Sequence, residues 1–163
     1  MNQLRSLSIW AVLVLLIALT PAFAVPSTKM IRPGASVGLV SLSDTTQMVE
    51  KTWGKPRSIS KKDGRDIWVY DGKMGRVSLS FREKLGILAT FTCYDSFYSV
   101  ADAPQIKVGA PREDVLKAFP KPSRDNPSHL DYNDLGVHYS LDPRTDRVDA
   151  INVYKPGHSE WAK

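Results

Sequence analysis

One eight-residue pattern occurs twice in the chain, 66 residues apart, and it constrains the fold more than any other feature. Residues 49–56 are VEKTWGKP, and residues 115–122 are VLKAFPKP. Valine, lysine, a bulky aromatic residue and a final Lys-Pro occupy the same positions in both. A stretch that recurs at a fixed spacing indicates two copies of one structural unit. The sequence therefore predicts a tandem repeat.

Each copy of the pattern predicts a short helix with one apolar face. Val49 and Trp53 are four residues apart, as are Val115 and Phe119, so each pair lies on one side of its helix. Helices this short are not stable alone in water. Each must therefore pack its valine and its aromatic residue against another apolar surface, which makes Trp53 and Phe119 core residues.

The ends of both helices are marked in the sequence. Asp44 and Thr45 offer N-cap oxygens before the first helix, and Pro111 suits the first turn of the second. The Lys-Pro pairs at 55–56 and 121–122 end the helices, because a residue before proline is pushed out of the helical region.

Alternating apolar and polar residues predict three strands after each helix, with one buried face and one polar face. Short turns rich in Gly, Asp and Asn join neighbouring antiparallel strands. The expected strands are 66–70, 77–81 and 88–94 in the first copy, and 129–132, 137–141 and 148–154 in the second.

The predicted fold class is therefore α+β, with two tandem repeats. Each repeat is a short helix packed on a three-stranded antiparallel meander. Two open sheets would leave exposed edges, so we expect the copies to join into one larger sheet. The expected units are residues 25–98 and 99–156, connected through 95–105 and followed by a loose tail at 157–163.

The first 24 residues have the three parts of a secretory signal peptide. Arg5 is the positive residue, residues 9–19 are an 11-residue apolar stretch, and Ala22-Phe23-Ala24 is a small-x-small cleavage pattern. Eleven apolar residues are too few to span a bilayer, which needs about 20. We expect a periplasmic or secreted protein without a stable membrane anchor after cleavage.

Charge and cysteine content exclude several classes of protein. Residues 25–98 carry 12 Lys and Arg against 7 Asp and Glu, whereas residues 99–163 carry 9 against 10. An exported chain without a clustered basic helix argues against nucleic-acid binding. The single cysteine, Cys93, excludes an intrachain disulfide framework and a cysteine-based zinc cluster. Its apolar surroundings predict a buried thiol.

The sequence contains no established catalytic pattern. A Gly-x-Ser-x-Gly elbow and a Walker loop are both absent from the sequence. We therefore expect no catalytic residues and no cofactor. One alternative remains open, because His129, Asp131 and His138 fall in neighbouring predicted strands and imidazole with carboxylate suits zinc.

The polar face of the predicted sheet is the expected partner-binding surface. If Phe91, Cys93, Ile151 and Val153 face the core, alternation sends the residues between them outward. Tyrosine suits recognition, because it combines a large rigid ring with a hydrogen-bonding tip. The expected partner-binding residues are Thr90, Thr92, Tyr94, His138, Asn152 and Tyr154, accompanied by Ser78, Ser80 and Ser140.

Several residues of the first copy carry a family resemblance. Leu42-Ser43-Asp44-Thr45, Val49, Trp53-Gly54-Lys55-Pro56 and the spacing of Trp68 and Tyr70 resemble the repeat of the SmpA/OmlA family. That family includes the small E lipoprotein of the outer-membrane barrel assembly machinery. The tandem arrangement resembles that of the secreted β-lactamase inhibitor protein. The resemblance implies an envelope or secreted binding scaffold.

We accordingly expect an exported, non-catalytic protein that recognises another envelope or extracellular protein through its sheet face and loops. Two alternatives stay open. One is an inhibitor of an enzyme, with β-lactamase as the precedent, and the other is a factor in outer-membrane assembly or envelope maintenance.

Overall fold

The computed structural model describes residues 28–72 and 75–158. The predicted signal peptide and residues 159–163 of the predicted tail lie outside the described residues. Within the described part, none of the helices has the length and apolar character needed to cross a membrane. Two sheets and two helices make up this part, which gives an α+β class dominated by strands.

Among the described residues, three short strands precede the first helix, six strands lie between the two helices, and four strands follow the second. The strands are β1 (Met30–Arg32), β2 (Ser36–Val37), β3 (Val40–Ser41), β4 (Ser58–Lys62), β5 (Arg65–Tyr70), β6 (Val77–Arg82), β7 (Ile87–Cys93), β8 (Ser99–Val100), β9 (Ala103–Lys107), β10 (Arg124–Asn126), β11 (His129–Tyr132), β12 (Val137–Asp142) and β13 (Arg147–Tyr154). The helices are α1 (Thr46–Trp53) and α2 (Arg112–Ala118).

The larger sheet contains eight antiparallel strands in the order β10-β11-β12-β13-β7-β6-β5-β4. The expected joining of the two meanders occurs where β13 pairs with β7, and it buries the edges that each meander would expose alone. Each helix is followed by four strands rather than three. The additional strands, β4 and β10, are mostly exposed edge strands that bury no face, so they lack the alternating pattern that marks the others.

The smaller sheet has five short strands in the order β3-β2-β1-β8-β9. β1 pairs in parallel with β8, so Met30 lies opposite Ser99 and Ile31 opposite Val100. The segment 95–105, expected to be a plain connection, therefore supplies β8 and the first part of β9. Strands of two or three residues leave no periodic signal, and this pairing joins segments about 70 residues apart in the chain.

The helices begin and end close to the predicted positions. Thr45 is the N-cap of α1, and its Oγ1 accepts a hydrogen bond from the backbone N–H of Met48 at 3.3 Å. Gly54 ends α1 with a positive φ of 80°, a conformation that glycine adopts without steric cost. α2 follows Pro111 and ends before Phe119.

One core joins both helices and both sheets. Val49 and Val115 are fully buried in it, and Trp53 and Phe119 pack against it, as predicted. The predicted core residues of β7 and β13 are also confirmed: Phe91, Cys93, Ile151 and Val153 are fully buried. Burial raises the pKa of the Cys93 thiol.

A tyrosine hydroxyl anchors the end of each helix to the large sheet. Tyr70 in β5 donates to the carbonyl oxygen of Gly54 at 3.0 Å, and Tyr132 in β11 donates to the carbonyl oxygen of Phe119 at 2.7 Å. These carbonyls have no partner within their own helices, so each hydroxyl satisfies a group that the helix leaves open. Both helices are thereby fixed on the apolar face of the sheet.

Candidate functional site

A single row of residues crosses the polar face of the large sheet, one from each strand. Successive members are opposite one another in the strand registers, so their side chains lie side by side. We call this set the cross-strand row. Its members, from β4 to β10, are Ser58, Val69, Ser78, Thr92, Asn152, His138, Asp131 and Arg124.

The centre of the row links the two meanders through side chains. Thr92 Oγ1 donates to Asn152 Oδ1 at 2.7 Å across the β7–β13 junction. Thr92 and Thr90 are both half-buried and stand on the same side of β7. Alternation therefore places Thr90, Thr92, Asn152 and His138 on the polar face, as the sequence predicted.

The two tyrosines expected to flank this surface differ in exposure. Tyr94, which follows β7, is 39% exposed, and the guanidinium carbon of Arg76 lies 5.3 Å from the centre of its ring. Tyr154 is only 2% exposed, so the expectation that it is accessible to a partner is wrong. Its hydroxyl donates to Asn133 Oδ1 at 3.0 Å, which holds the side chain against the β11–β12 turn.

The backbone of Tyr154 also packs closely against that turn. Gly136 has a φ of 70°, and a Cβ added to it would lie 2.2 Å from the carbonyl oxygen of Tyr154. Only glycine fits such a close backbone approach.

Two further predicted contact residues are less accessible than expected. Asn152 is 8% exposed and His138 is 4% exposed, so the expectation that these two side chains are accessible to a partner is wrong. Asn152 lies between Thr92 and His138 in the row. The ring of His129 stacks on the ring of His138, with 5.3 Å between centroids and 30° between planes. Packing against neighbouring side chains of the sheet therefore buries Asn152 and His138.

The β11–β12 end of the row forms a compact polar cluster. Asp131 Oδ1 is hydrogen-bonded to His138 Nδ1, and His138 Nε2 lies 3.1 Å from Ser140 Oγ. Asp131 Oδ2 lies 3.8 Å from Arg124 Nε and 3.7 Å from His129 Nε2. We call these five residues the Asp131 cluster. They place one carboxylate, one imidazole and one hydroxyl in a hydrogen-bonded line.

Burial determines the charge state of the imidazole in this line. Desolvation lowers the pKa of His138 below its ordinary value, although the hydrogen bond and charge of Asp131 act in the opposite direction. Arg124 and His129 lower the pKa of His138 further. Because its pKa lies below the ordinary value of 6.5, His138 is neutral at pH 7. A carboxylate only accepts hydrogen bonds, so Nδ1 carries the proton and Nε2 is the acceptor nitrogen.

The three residues of the alternative zinc site lie close together, but the ring nitrogens of the two histidines have hydrogen-bond partners. His129, Asp131 and His138 are indeed neighbours. However, no group of three or more His, Cys, Asp or Glu side chains within residues 28–72 and 75–158 is arranged to hold a metal ion. His138 Nδ1 is directed to Asp131, and His129 Nε2 lies 2.6 Å from Asn126 Nδ2.

Sequence reasoning missed the line from Asp131 to Ser140, although it named each residue. The pattern searched for was a serine on a strand-to-helix turn, whereas Ser140 lies inside β12, two residues after His138. Register between β11 and β12 places Asp131 opposite His138. Two-residue spacing on one strand was the available signal, because it puts His138 and Ser140 on one face.

Two clefts lie beside these elements. A cleft of about 340 Å³ at the end of α2 is lined by Phe119, Pro120, Tyr132 and Leu135, and none of the predicted contact residues lines it. A second cleft, of about 210 Å³, includes Thr90 in its lining. The other lining residues of this Thr90 cleft are Leu42, Ser43, Arg82, Leu85, Ile87, Leu88, Ala89, Lys155 and His158.

Comparison with known proteins extends to the fold. No family model matches the sequence, and no curated protein matches it significantly. An extracellular protein containing an SCP domain from Bacillus anthracis is similar in structure, with a TM-score of 0.56 and 15% identity. That similarity covers 71% of this chain and 44% of the other, so the chain spans less than half of that protein.

Two further structures have TM-scores of 0.49. A DUF4309 family protein from Bacillus subtilis is 20% identical, over 69% of this chain and 78% of the other. A cysteine-rich secretory protein from Staphylococcus aureus is 13% identical, over 79% and 49%. The resemblance to the SmpA/OmlA family stays a prediction.

Proposed function

We propose that this chain is an exported protein that binds another protein of the cell envelope or exterior through the accessible part of its polar sheet face. One observation carries the proposal. Both helices and the smaller sheet contribute their buried apolar residues to the core on one side of the large sheet. The other side carries the cross-strand row, whose members other than Val69 are polar and include half-buried hydroxyls.

The first meander provides the more accessible half of this face. Ser78, Thr90 and Thr92 are half-buried, and the ring of Tyr94 is exposed at the end of β7. Hydroxyl groups and a tyrosine ring supply hydrogen bonds and contact area without the entropy cost of long flexible side chains. We place the centre of the contact surface at Thr90 and Thr92.

The charge of the Thr90 cleft favours an acidic partner. Arg82, Lys155 and His158 line the cleft beside Thr90. The half of the chain that contains Arg82, residues 25–98, carries a net charge of +5 in the sequence. Complementary charge accelerates encounter and selects among partners. A partner that presents Asp or Glu side chains to this cleft fits it best.

Equivalent irregularities support descent of both halves from one unit. An isolated bridge joins Thr45 to Ile87 before α1, and another joins Pro111 to Arg147 before α2. The strand register also shifts after Ser80 in β6 and after Ser140 in β12. Such local shifts are specific features of a sheet. On this basis we infer a tandem repeat of one helix and four strands.

The location that we propose is periplasmic or secreted. The signal-peptide pattern of residues 1–24 is its basis. An anionic or acidic partner outside the cytoplasm is consistent with the basic first half of the chain.

Charge-changing variants at one position test both the face and the partner's chemistry. The full chain, with a C-terminal tag, is expressed in its source cells and used to capture proteins from envelope and culture fluid. Thr90→Glu opposes an acidic partner, Thr90→Lys preserves the positive character, and Thr52→Glu introduces the same charge on the exposed surface of α1. Thermal unfolding shows whether each variant is folded.

We expect Thr90→Glu to lower the affinity of a captured protein about tenfold, with about threefold or less for Thr90→Lys. Thr52→Glu should leave it unchanged. Capture that survives Thr90→Glu unchanged contradicts the proposed surface. Equal losses in Thr90→Glu and Thr90→Lys contradict the acidic partner while keeping the surface. Failure of the wild-type chain to capture any specific protein contradicts the function itself.

A further inference from the structure

The Asp131 cluster contains the hydrogen-bond order of an activated serine. Register places Asp131 opposite His138, and the two-residue spacing places Ser140 beside His138 on the same face. The carboxylate contacts Nδ1 of the imidazole, and Nε2 lies 3.1 Å from the serine Oγ. A general base must lie within about 2.6–3.2 Å of the group whose proton it takes. The His138–Ser140 pair meets that requirement.

Proton positions in this line follow from the chemistry of its members. Nδ1 of His138 donates to the carboxylate, so Nε2 has a lone pair and accepts the hydroxyl proton of Ser140. Lowered basicity from burial keeps the ring neutral near pH 7, and therefore able to act as a base. Asp131 fixes the tautomer and would stabilise the imidazolium that forms when the serine proton is transferred.

Surrounding residues hold the base in place. His129 stacks on His138, and its own Nε2 and Nδ1 lie 2.6 Å from Asn126 Nδ2 and 3.2 Å from Ser128 Oγ. Arg124 lies 3.8 Å from Asp131 Oδ2, an atom without a hydrogen-bond partner.

Ser140 itself is reachable from the polar face. It is half-buried, whereas Asp131 and His138 are buried beneath their neighbours. Its opposite residues in the two adjoining strands are His129 and Ala150. On the β13 side, Ala150 therefore places only a methyl group beside the serine.

The first meander offers a natural control. Ser80 lies in β6 just before a shift in register, as Ser140 does in β12. Ser78 precedes Ser80 by two residues and is opposite Val69, so the first meander has neither the imidazole nor the carboxylate. Ser80 is buried and accepts a hydrogen bond from Arg65 at 3.4 Å, whereas Ser78 is half-buried, as Ser140 is. Ser78 is therefore the serine of matched exposure that no base accompanies.

We propose that Ser140 is a nucleophile that accepts an acyl group from an activated ester, with His138 as its base and Asp131 as a positioning residue. Ser140 Oγ attacks the ester carbonyl carbon while its proton passes to His138 Nε2. The bond from that carbon to the leaving oxygen then breaks with its electron pair, and the proton on His138 passes to the leaving oxygen or to water. This gives acyl-Ser140, the leaving alcohol or phenolate, and a neutral His138. Water then attacks the acyl carbon and gives a proton to His138, and that proton passes to Ser140 Oγ as the acid is released. This inference goes beyond the binding function and does not depend on it.

The test uses p-nitrophenyl acetate on the full folded chain, with nitrophenolate release followed by absorbance and acetylated residues mapped by mass spectrometry. We expect acetylation of Ser140 to exceed that of Ser78, which is also half-buried, by about tenfold or more. Labelling should fall as the pH drops below the ordinary histidine value of 6.5, because protonated His138 accepts no proton. His138→Gln should slow it by about 100-fold. Ser80→Ala should leave it unchanged.

Comparison of Ser140 with Ser78 in the wild-type chain needs no variant, so it holds even if His138→Gln fails to fold. Equal acetylation of both serines, or none at Ser140, overturns the proposal. So does a rate at Ser140 that is unchanged in folded His138→Gln. Asp131→Asn should slow acetylation and alter its pH profile. A loss of thermal stability without either change assigns Asp131 a structural role only.

Discussion

The two halves of the large sheet place different chemistry at matching points of one architecture. Ser78 lies opposite Val69 in the first half, and His138 lies opposite Asp131 in the second. The first pair leaves a half-buried hydroxyl beside an apolar residue. The second is a buried, hydrogen-bonded pair of titratable groups. The same strand register therefore holds a half-buried hydroxyl in one half and a buried carboxylate–imidazole pair in the other.

The free-energy cost of burying the Asp131–His138 pair also differs from that of the Val69–Ser78 pair. A buried carboxylate and imidazole lose their hydration, and that loss is offset only while each has its partner. Serine and valine carry no such requirement. The second half should therefore be more sensitive to single substitutions in the cross-strand row, whereas the first half should tolerate them.

The largest expected effect comes from the aromatic residues that fix the helices. Trp53→Ala should lower the free energy of unfolding by about 3–5 kcal/mol. The Trp53 ring lies 5.3–6.5 Å from the rings of Tyr70, Phe91 and Tyr98, whereas Phe119 has two such ring neighbours. Phe119→Ala should therefore cost about 1 kcal/mol less. Urea unfolding measures both.

The exposed Met48 of α1 provides the control, because Met48→Ala should change stability by less than about 0.5 kcal/mol. A larger loss in Phe119→Ala than in Trp53→Ala would show that the second helix is the better anchored one.

Replacing the Asp131–His138 pair with the residues of the Val69–Ser78 pair tests whether the two positions are equivalent. Asp131→Val alone should cost about 2–4 kcal/mol, because it leaves the His138 ring buried without its acceptor. Asp131→Val combined with His138→Ser recreates the pair of the first half. The free energy of unfolding of that double variant, measured in urea, should lie within about 1 kcal/mol of the wild-type value. A double variant as unstable as the single one would refute the equivalence of the two positions.

The tyrosine anchors allow a finer comparison. Tyr70→Phe and Tyr132→Phe should each lower the free energy of unfolding by about 1 kcal/mol, because each leaves a helix-end carbonyl without its donor. The effect should be larger for Tyr132, whose bond is 2.7 Å against 3.0 Å for Tyr70. Thermal or urea unfolding is the measurement, with the exposed Tyr94→Phe as the control. No loss in either variant would mean that water replaces the hydroxyl fully.

The smallest expected effect is a dependence of stability on pH that originates in the second half. Burial lowers the pKa of folded His138 below 6.5, so the unfolded chain takes up its proton first as the pH falls. The contribution of neutral His138 is therefore complete above about pH 6.5 and is lost as the pH falls towards the lowered folded-state value. Urea unfolding at about pH 7.5 and about pH 5.5 measures it. The Asp131→Val, His138→Ser double variant should lose less stability over this interval, and an equal loss would contradict the assignment.

Much of the site could be predicted from alternation, but its accessibility could not. Period-two patterning placed Thr90, Thr92, Asn152 and His138 on one face. Tyr154 followed the same pattern and is nevertheless buried, because its hydroxyl bonds to Asn133 in a turn 21 residues away. Alternation reports which side of a sheet a residue takes. It does not report what packs beside that residue.

The sequence by itself determined the helices, the alternating strands and the apolar face of the large sheet. These features follow from local spacing, caps and prolines, which act over a few residues. Only the tertiary structure decided that β1 pairs with β8, that β7 joins β13, and that Asp131, His138 and Ser140 form one line. Those contacts depend on strand register between distant segments, and a shift of one residue would send each of these side chains to the other face.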